Sequence, residues 1–427
     1  MDYIPTTPAQ SKQMLETLGL KDFKQLFSNI PSKIIQDNIL LEESGASEQE
    51  LAEHVEKIAS KNRITKNFLG AGLYNHYIPA LVDTVSSRPE FYTSYTPYQA
   101  EASQGVLQAL FEYQGMMCAL TGMDVSNAGM YDGSTALAEA ALMAVRTTGL
   151  AEIAYPSTLN PLYQQVLETY ATSCGFKTKK IEVADGTLTK EEVEKAVDED
   201  TAGLIVQNPN FFGLLEDENV FESLKDEKTF LIECVVEATS LGILKPFAKA
   251  DIICGDGQTL GNPINFGGPS FGFLTCKQDY LRSMPGRIVG ETTDIEGKRG
   301  YVLTFQTREQ HIRRAKATSN ICTAESLNCT RALAYLACMG PKGLRDVSES
   351  SHKNAVYLSK ELSKIEGITL VYDKPFYNEI LVKSKKPLDV GADVSRFYHE
   401  LKNHYLLATT EIHSKPDLDE LISEVSK

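Results

Sequence analysis

Short apolar runs alternate with stretches of helical periodicity through the middle of the chain. Between residues 66 and 320 these runs are AEIAYP, KKIEVA, AGLIVQNP, TFLIECVVE, ADIICGDG and FGFLTC. Apolar runs of this kind, separated by helices, are typical of a mostly parallel sheet that is covered on both faces. The pattern therefore predicts a large α/β domain over residues 66–320.

Different patterns flank this region. Residues 1–65 contain the helical stretches SKQMLETLG and SEQELAEHVEKIASKN, and in the second of these Ser47 and Glu50 have the spacing of a capping box. Such a segment has too little apolar surface for a core of its own, so it is predicted to be an N-terminal helical arm. Residues 321–427 carry two helical stretches, the strand-like runs GITLVYD and NEILVKS, and a helix-rich tail, which together predict a small C-terminal α+β domain.

The composition is that of an ordinary globular enzyme, with 427 residues of which 42% are hydrophobic and 23% are charged. A net charge of −15 disfavours nucleic acid and anionic membrane surfaces as main partners, because both repel an acidic protein. No apolar run approaches the ~20 residues that span a bilayer. The N-terminus MDYIPTTPAQ lacks the basic and apolar regions of a signal peptide, so we expect a cytoplasmic protein.

The cysteines and histidines show no spacing that is typical of a metal site. The eight cysteines form no CxxC pair and stand mostly in apolar surroundings such as IICG and LIECVV, which predicts reduced core residues. The seven histidines show no HxxxH pairing with carboxylates. We therefore expect no metal site in this chain.

Loops at the ends of the predicted strands are the first places to look for a ligand, because open α/β sheets bind ligands beyond the carboxyl ends of their strands. In the stretch NAGMYDGSTALAEAALMAV, 127–145, Gly133, Ser134 and Thr135 open a long predicted helix. Backbone N–H groups and small hydroxyls at a helix N-terminus suit a phosphate. An ordinary N-capped helix is the other interpretation, and the pattern leaves both open.

A strand, a small polar turn and a Gly-Gly-Pro follow one another in CGDGQTLGNPINFGGPSFGF, residues 254–273. Many pyridoxal phosphate (PLP) enzymes present their active-site lysine in this layout. Here Gln258 stands at the expected position, and no lysine occurs between Lys249 and Lys277. Because a neutral amide cannot form the Schiff base of PLP catalysis, a chain with this layout cannot run that chemistry in its own site.

An acidic residue, Glu237, ends the buried run in TFLIECVVEATSLG and precedes Gln258 by 21 residues. PLP enzymes place at such a strand end the carboxylate that pairs with the pyridinium nitrogen. The separation suits one strand, a crossover and the next strand. A strand-end acid that faces solvent is the alternative interpretation.

The segment 68–105 combines tyrosines with polar side chains between Gly and Pro turns. Tyrosine offers a flat face and one polar tip, which suits the lining of a cleft or an interface. Because so many polar tips need partners when buried, a cleft or subunit contact is favoured over a plain packing segment. The residues of interest are five tyrosines and three further polar residues, which are Tyr74, Tyr77, Tyr92, Tyr95, Tyr98, His76, Glu101 and Gln104.

A local positive cluster occurs in this otherwise acidic chain. The stretch RGYVLTFQTREQHIRRAKATSNICT, 299–323, contains Arg308, Arg313 and Arg314. Such a cluster can hold a carboxylate, a phosphate or an acidic partner protein. A basic helix face that is paired internally with Asp and Glu explains the same pattern.

Several long motifs together resemble one known family. They are FLGAGLYNHYIP, TSYTPYQAEASQG, LTGMDVSNAGMYDGSTALAEA, GDGQTLG, RGYVLTFQTREQHIRRAKATSNICT and YLACMGPKGLR, and the likeness spans nearly the whole chain. The family is the glycine dehydrogenase (decarboxylating) P-protein of the glycine cleavage system, in particular subunit 1, the alpha chain of its two-subunit form. The resemblance implies the aminotransferase-like fold of PLP enzymes (fold type I), with a large α/β domain and a smaller C-terminal domain.

The same resemblance implies that PLP is held by a lysine of the partner beta subunit, subunit 2, while the alpha chain keeps the fold without the lysine. The implied reaction is the decarboxylation of glycine, with transfer of the aminomethyl group to the lipoyl arm of the H protein, in an α2β2 heterotetramer. This chain is then expected to retain a vestigial pocket formed by Gly133, Ser134, Thr135, Glu237 and Gln258.

Two surface roles follow from the resemblance. One loop is expected to reach the heterodimer interface and to line the entrance to the partner's PLP pocket, through His76, Tyr95, Thr96, Tyr98, Gln99 and Glu101. Arg308, Arg313 and Arg314 are expected to bind the other subunit or an acidic H protein.

The alternatives are a stand-alone PLP enzyme with an unrecognised lysine, a purely structural scaffold, and a pocket that binds a regulatory anion at 133–135.

Overall fold

The computed structural model describes residues 5–36, 45–63, 65–224 and 228–426. It divides into two compact units, Met1–Thr65 and Lys66–Lys427. The first unit contains helices α1 (Pro8–Thr17) and α2 (Glu48–Ala59). The Ser47 side chain accepts from the Glu50 N–H and the Glu50 carboxylate accepts from the Ser47 N–H, so the predicted capping box is confirmed.

The second unit contains all of the described strands and nine of the described α-helices. Its helices are α3 (Ala80–Ser86), α4 (Pro89–Tyr92), α5 (Gln104–Thr121), α6 (Gly133–Thr148), α7 (Pro161–Cys174), α8 (Lys190–Ala196), α9 (Gln310–Arg313), α10 (Ser326–Leu362) and α11 (Lys415–Val425). Its strands are β1 (Val125–Ser126), β2 (Glu152–Pro156), β3 (Lys177–Ile181), β4 (Thr201–Gln207), β5 (Phe230–Val235), β6 (Ile252–Asp256), β7 (Gly272–Cys276), β8 (Ile288–Thr293), β9 (Arg299–Thr304), β10 (Ile368–Leu370), β11 (Glu379–Ser384), β12 (Ala392–Asp393) and β13 (His404–Ala408).

Seven strands form the main sheet, in the order β1-β7-β6-β5-β4-β2-β3. Neighbours from β6 to β3 pair in parallel, whereas β7 and β1 pair antiparallel at one edge. Both faces are buried, because along β5 Leu231 and Val235 belong to one apolar core and Ile232 and Cys234 to the other. Helices α5 and α10 contribute to the first core, and α6 and α7 to the second. The predicted mostly parallel, doubly covered sheet is confirmed.

The C-terminal part contains a kinked helix and an antiparallel sheet. Helix α10 is interrupted at Gly340, which has φ 61°, and Pro341 follows, so the two predicted helical stretches meet at a break. A four-stranded sheet has the order β10-β11-β13-β12. Strand β13 lies in the tail that was predicted to be helix-rich, and that prediction was wrong there because a fully buried five-residue run pairs with β11. The predicted domain boundary at 320/321 stays a prediction.

The cysteines are less uniformly buried than their sequence surroundings suggest. All eight are free, but Cys174, Cys322 and Cys338 are exposed. Within the described ranges no helix is both long and apolar enough to cross a membrane. Among the same residues no group of three or more His, Cys, Asp or Glu side chains is arranged to hold a metal ion.

Candidate functional site

The candidate site lies beyond the carboxyl ends of β5 and β6, which are parallel neighbours. Glu237 follows the end of β5 by two residues, and Gln258 follows the end of β6 by two residues. Because parallel neighbours end at the same edge of the sheet, these two side chains lie at the same edge. Both are buried.

A segment near the start of the second unit, residues 68–77, covers the loop after β6 and is fastened to Gln258. The Tyr74 N–H donates to Gln258 Oε1 at 3.2 Å, and Gln258 Nε2 donates to the Tyr74 carbonyl at 3.1 Å and to the Asn262 carbonyl at 2.7 Å. One amide thus accepts from and donates to the same backbone residue. Only a side chain with both a donor and an acceptor can do this, and lysine has no acceptor.

His76 comes from the same segment and lies between two carboxylates. Its Nδ1 is hydrogen-bonded to Glu411 Oε2 at 2.6 Å, and its Nε2 lies 3.2 Å from Glu237 Oε1, an ion-pair distance without hydrogen-bond alignment. Burial lowers the pKa of His76, but Glu237 and Glu411 more than offset this and raise it to about 10. Residue 76 is therefore an imidazolium at neutral pH. It was expected at the subunit interface and instead is buried within this chain, with 7% of its surface exposed.

Glu379, at the start of β11, anchors the 68–77 segment from the other side. Its carboxylate accepts from the Tyr74 hydroxyl at 2.5 Å and from the Ala71 N–H at 2.7 Å. Burial raises the pKa of Glu379 to about 7, although the bonds from Tyr74 and Ala71 oppose the shift. Sequence reasoning missed Glu379 and Glu411. The available signal was an acidic residue next to an apolar run, in NEILVKS and in LLATTEIH.

Two backbone donors at the N-terminus of α6 are bonded to carboxylates. The Gly133 N–H donates to Asp256 Oδ2 at 3.0 Å, and the Thr135 N–H donates to Asp132 Oδ1 at 2.9 Å. The Ser134 hydroxyl also donates to Asp132. Burial raises the pKa of Asp256 to about 6, so it is largely ionised at neutral pH. Of the two interpretations that the sequence left open, these contacts favour the ordinary N-capped helix, because the Gly133 and Thr135 N–H groups already face acidic side chains.

The remaining candidate lining residues lie at the surface of the second unit. Tyr95 is 75% exposed, and Gln99 and Glu101 are exposed as well. Tyr98 is half-exposed, and its hydroxyl accepts from the Arg287 guanidinium at 2.8 Å while its ring packs edge-on against His311. Thr96, between them, is partly buried. This group, 95–101, is accessible, whereas His76 is not.

The three candidate arginines have different surroundings. Arg308 donates to the backbone carbonyls of Met284, Gly286 and Phe305, and burial lowers its pKa. It therefore holds the loop together internally. Arg313 is exposed and donates to the Thr307 carbonyl, and Arg314 is exposed. Two of the three are available to a partner.

Comparisons with known proteins give a consistent result. The sequence profile of the family "Glycine cleavage system P-protein" matches residues 1–425. The chain is 44% identical to a probable glycine dehydrogenase (decarboxylating) subunit 1 from Moorella thermoacetica, covering 99% of this chain and 98% of the relative. A protein of the same name from Carboxydothermus hydrogenoformans is 45% identical, again covering 99% of this chain and 98% of the relative.

Solved structures agree with the family and the fold. The crystal structure of a glycine decarboxylase (P-protein) of the glycine cleavage system in inhibitor-bound form matches with a TM-score of 0.87 and 39% identity, over 100% of this chain and 99% of that one. A sphingosine-1-phosphate lyase from Burkholderia pseudomallei matches with a TM-score of 0.63 and 13% identity over 92% of each chain, which bears on the fold alone. The predicted fold type I of PLP enzymes is confirmed.

This chain's own pocket does not fit the cofactor of that fold. Gln258 carries an amide, which cannot form an imine with an aldehyde. The strand-end carboxylate of Glu237 faces the imidazolium of His76. The Gly133 N–H, which suits a phosphate, is bonded to Asp256. Each of these three groups therefore already has a partner from within the chain.

Proposed function

Because this chain belongs to the glycine cleavage system P-protein family, we propose that it is the alpha subunit of glycine decarboxylase, working on PLP that a lysine of subunit 2 holds. The proposed reaction decarboxylates glycine and transfers the aminomethyl group to the lipoyl arm of the H protein. The proposal rests mainly on one observation. The Gln258 amide, at the position where this fold presents a lysine, is hydrogen-bonded to the Tyr74 backbone. PLP supplies the electron sink when bound, and this chain supplies none of the imine chemistry.

The partner arrangement is part of the same proposal. Relatives that are named subunit 1 imply a subunit 2, and we infer an α2β2 heterotetramer. The cytoplasmic location predicted from the sequence stays a prediction. Glycine is the substrate, and lipoylated H protein is the second partner.

The surface group 95–101 is proposed to line the entrance to the partner's PLP pocket. Tyr95 and Glu101 are exposed and carry polar tips that this chain leaves accessible. Tyr98 is held by Arg287 and His311, so its ring has a defined orientation at the surface. An aromatic ring with a fixed orientation, next to exposed polar groups, suits a site that a second subunit completes.

Arg313 and Arg314 are proposed to contact subunit 2 or the acidic face of H protein. Both are exposed on a chain with a net charge of −15, so they form a local positive region. Arg308 stabilises the loop that carries them by donating hydrogen bonds to three backbone carbonyls. Exposed charges of this kind steer association more than they add affinity.

The decisive experiment compares this chain alone with the mixture of this chain, subunit 2 and H protein. The readouts are the absorbance of bound PLP and the exchange of glycine with bicarbonate. We expect no PLP band and no exchange from the chain alone, and activity only in the mixture. A band and activity from the chain alone support a stand-alone PLP enzyme. A mixture that assembles but stays fully active after changes at Tyr95 and Glu101 supports a structural scaffold.

A further inference from the structure

Side chains of this chain fill the pocket beyond β5 and β6, and they place there the kinds of charged group that the cofactor of this fold would place there. His76 places a cationic aromatic ring against Glu237, with Nε2 3.2 Å from Oε1. The Glu237 carboxylate also accepts from the Thr239 hydroxyl, at 2.8 Å and 2.6 Å to its two oxygens. A cationic ring at ion-pair distance from a strand-end carboxylate has the same charge complementarity as a PLP pyridinium in this fold, although His76 Nε2 makes no aligned hydrogen bond.

A second match lies at the start of α6. Asp256 places a carboxylate oxygen 3.0 Å from the Gly133 N–H, where a phosphate oxygen suits the helix N-terminus. The Asp256 carboxylate is held there by the Ser270 hydroxyl at 2.7 Å and by the Gln258 N–H at 2.8 Å. A Cβ built on Gly133 would clash with the Tyr163 hydroxyl and the Asp256 backbone, so little space remains beside this residue.

We propose that His76 is a built-in substitute for the cofactor ring, which with Asp256 and the Tyr74 backbone keeps this chain's own pocket filled and closed to free cofactor. The proposal rests on the proposed function, because it takes the pocket to be a former PLP site. It also assigns a role to the 68–77 segment, which carries both the ring and the backbone group bound to Gln258. His76 is here a positioning residue and not a catalytic one.

Glu411, one of the two carboxylates beside this ring, borders a surface cleft. A cleft of about 480 Å³ is lined by Tyr77, Met339, Val347, Glu411 and Ile412. Glu411 lines this cleft and also contacts His76, and its second oxygen accepts from the Tyr77 N–H at 2.7 Å. Removal of the His76 ring therefore leaves a ring-sized space, flanked by two carboxylates, next to an open cleft.

The experiment is chemical rescue of the full chain. We expect His76→Ala to lower Tm by several degrees, because it leaves Glu237 and Glu411 buried without a cation. Imidazole should restore at least half of that loss in a saturable manner, compared with sodium chloride of equal ionic strength. His76→Phe is the matched control, because it removes the charge but keeps the space filled, and it should not respond to imidazole. The absence of rescue in His76→Ala overturns the proposal.

A binding measurement on the unaltered chain tests closure directly. Pyridoxamine 5′-phosphate has the ring and phosphate of the cofactor but no aldehyde, so it does not react with surface lysines. We expect it to leave the Tm of the full chain unchanged. A saturable rise in Tm that Glu237→Gln abolishes overturns the proposal.

A spectroscopic measurement applies if His76→Ala does not fold. In chain labelled with ¹⁵N-histidine, the spectrum at pH 8 should show one of the seven histidines with both ring nitrogens protonated. That signal should be absent from His76→Gln. A neutral His76 at pH 8 overturns the proposal. These readouts use the chain without subunit 2, so their failure is distinguishable from failure of the decarboxylase assay.

Discussion

Gln258→Lys restores the amine that PLP catalysis needs, and we expect it to yield a loosened segment and not an enzyme. Lysine can still donate to the Tyr74 and Asn262 carbonyls, which now accept from Gln258 Nε2 at 3.1 and 2.7 Å. It cannot accept from the Tyr74 N–H, which now donates to Gln258 Oε1 at 3.2 Å. The substitution therefore leaves the Tyr74 N–H without an acceptor and adds a charge at a buried position.

The size of the effect follows from the stranded donor. A buried N–H without a partner costs about 1–3 kcal/mol. The ammonium group adds a desolvation cost, so this range is a lower bound for the local effect. The free energy needed to open the 68–77 segment should fall by the same amount, about 1–3 kcal/mol. This fall corresponds to roughly 5- to 150-fold faster hydrogen exchange at the Tyr74 amide.

Peptide-resolved hydrogen exchange over the 68–77 segment is the assay. Far-UV circular dichroism checks the global fold, because the chain has no tryptophan for fluorescence. Gln108→Lys, which makes the same change at an exposed helical site, is the matched control and should leave exchange at Tyr74 unaltered. Unchanged protection of Tyr74 in Gln258→Lys would refute the role assigned to the amide. A PLP absorption band with glycine exchange would refute the view that the pocket is closed.

Three further predictions concern the surface group, the basic loop and the buried imidazolium. Tyr95→Phe combined with Glu101→Gln should lower turnover of the assembled enzyme about tenfold or more at nearly unchanged Tm, since one lost polar contact costs about 1.4 kcal/mol; full turnover contradicts the lining role. Removing the charges of Arg313 and Arg314 should slow complex formation and flatten its salt dependence in stopped-flow experiments, whereas unchanged rates contradict it. Because the folded pKa of His76, about 10, lies above its ordinary 6.5, its stabilisation is complete below pH 6.5 and is lost towards pH 10. The stability difference between the wild type and His76→Gln should therefore shrink by about 1.4 kcal/mol per pH unit across that window, and a pH-independent difference in urea titrations argues against the imidazolium.

Much of the fold is readable from local patterns. The runs AEIAYP, AGLIVQNP and TFLIECVVE correspond to β2, β4 and β5, because strands buried on both faces are continuously apolar. The break in α10 coincides with a Gly-Pro pair, whose backbone preferences are also local. Strand β13 was missed because a five-residue apolar run does not distinguish strand from helix until its pairing partner, β11, is known.

The site was only partly readable. The separation of 21 residues between Glu237 and Gln258 placed them at the ends of successive strands, and the family resemblance grouped them in one pocket. The position of His76 could not be predicted in this way. Its partner Glu411 is 335 residues away along the chain, and the tyrosines around His76 pointed to a surface. At the N-terminus of α6 the pattern left an anion site and an ordinary helix cap both open, because nothing local reveals that Asp256 accepts from the Gly133 N–H.

The absence of an amine at position 258 is a property of the sequence alone, since no fold can turn an amide into a Schiff-base former. The same is true of the strand periodicity and of the family motifs. Only the tertiary structure determines what fills the pocket around Gln258. The pocket is filled because the 68–77 segment contacts β11, the residues after β13 and Gln258 itself. The physical reason is that the energies of buried charges and hydrogen bonds depend on neighbours that are distant in sequence, whereas backbone propensity and side-chain chemistry are local.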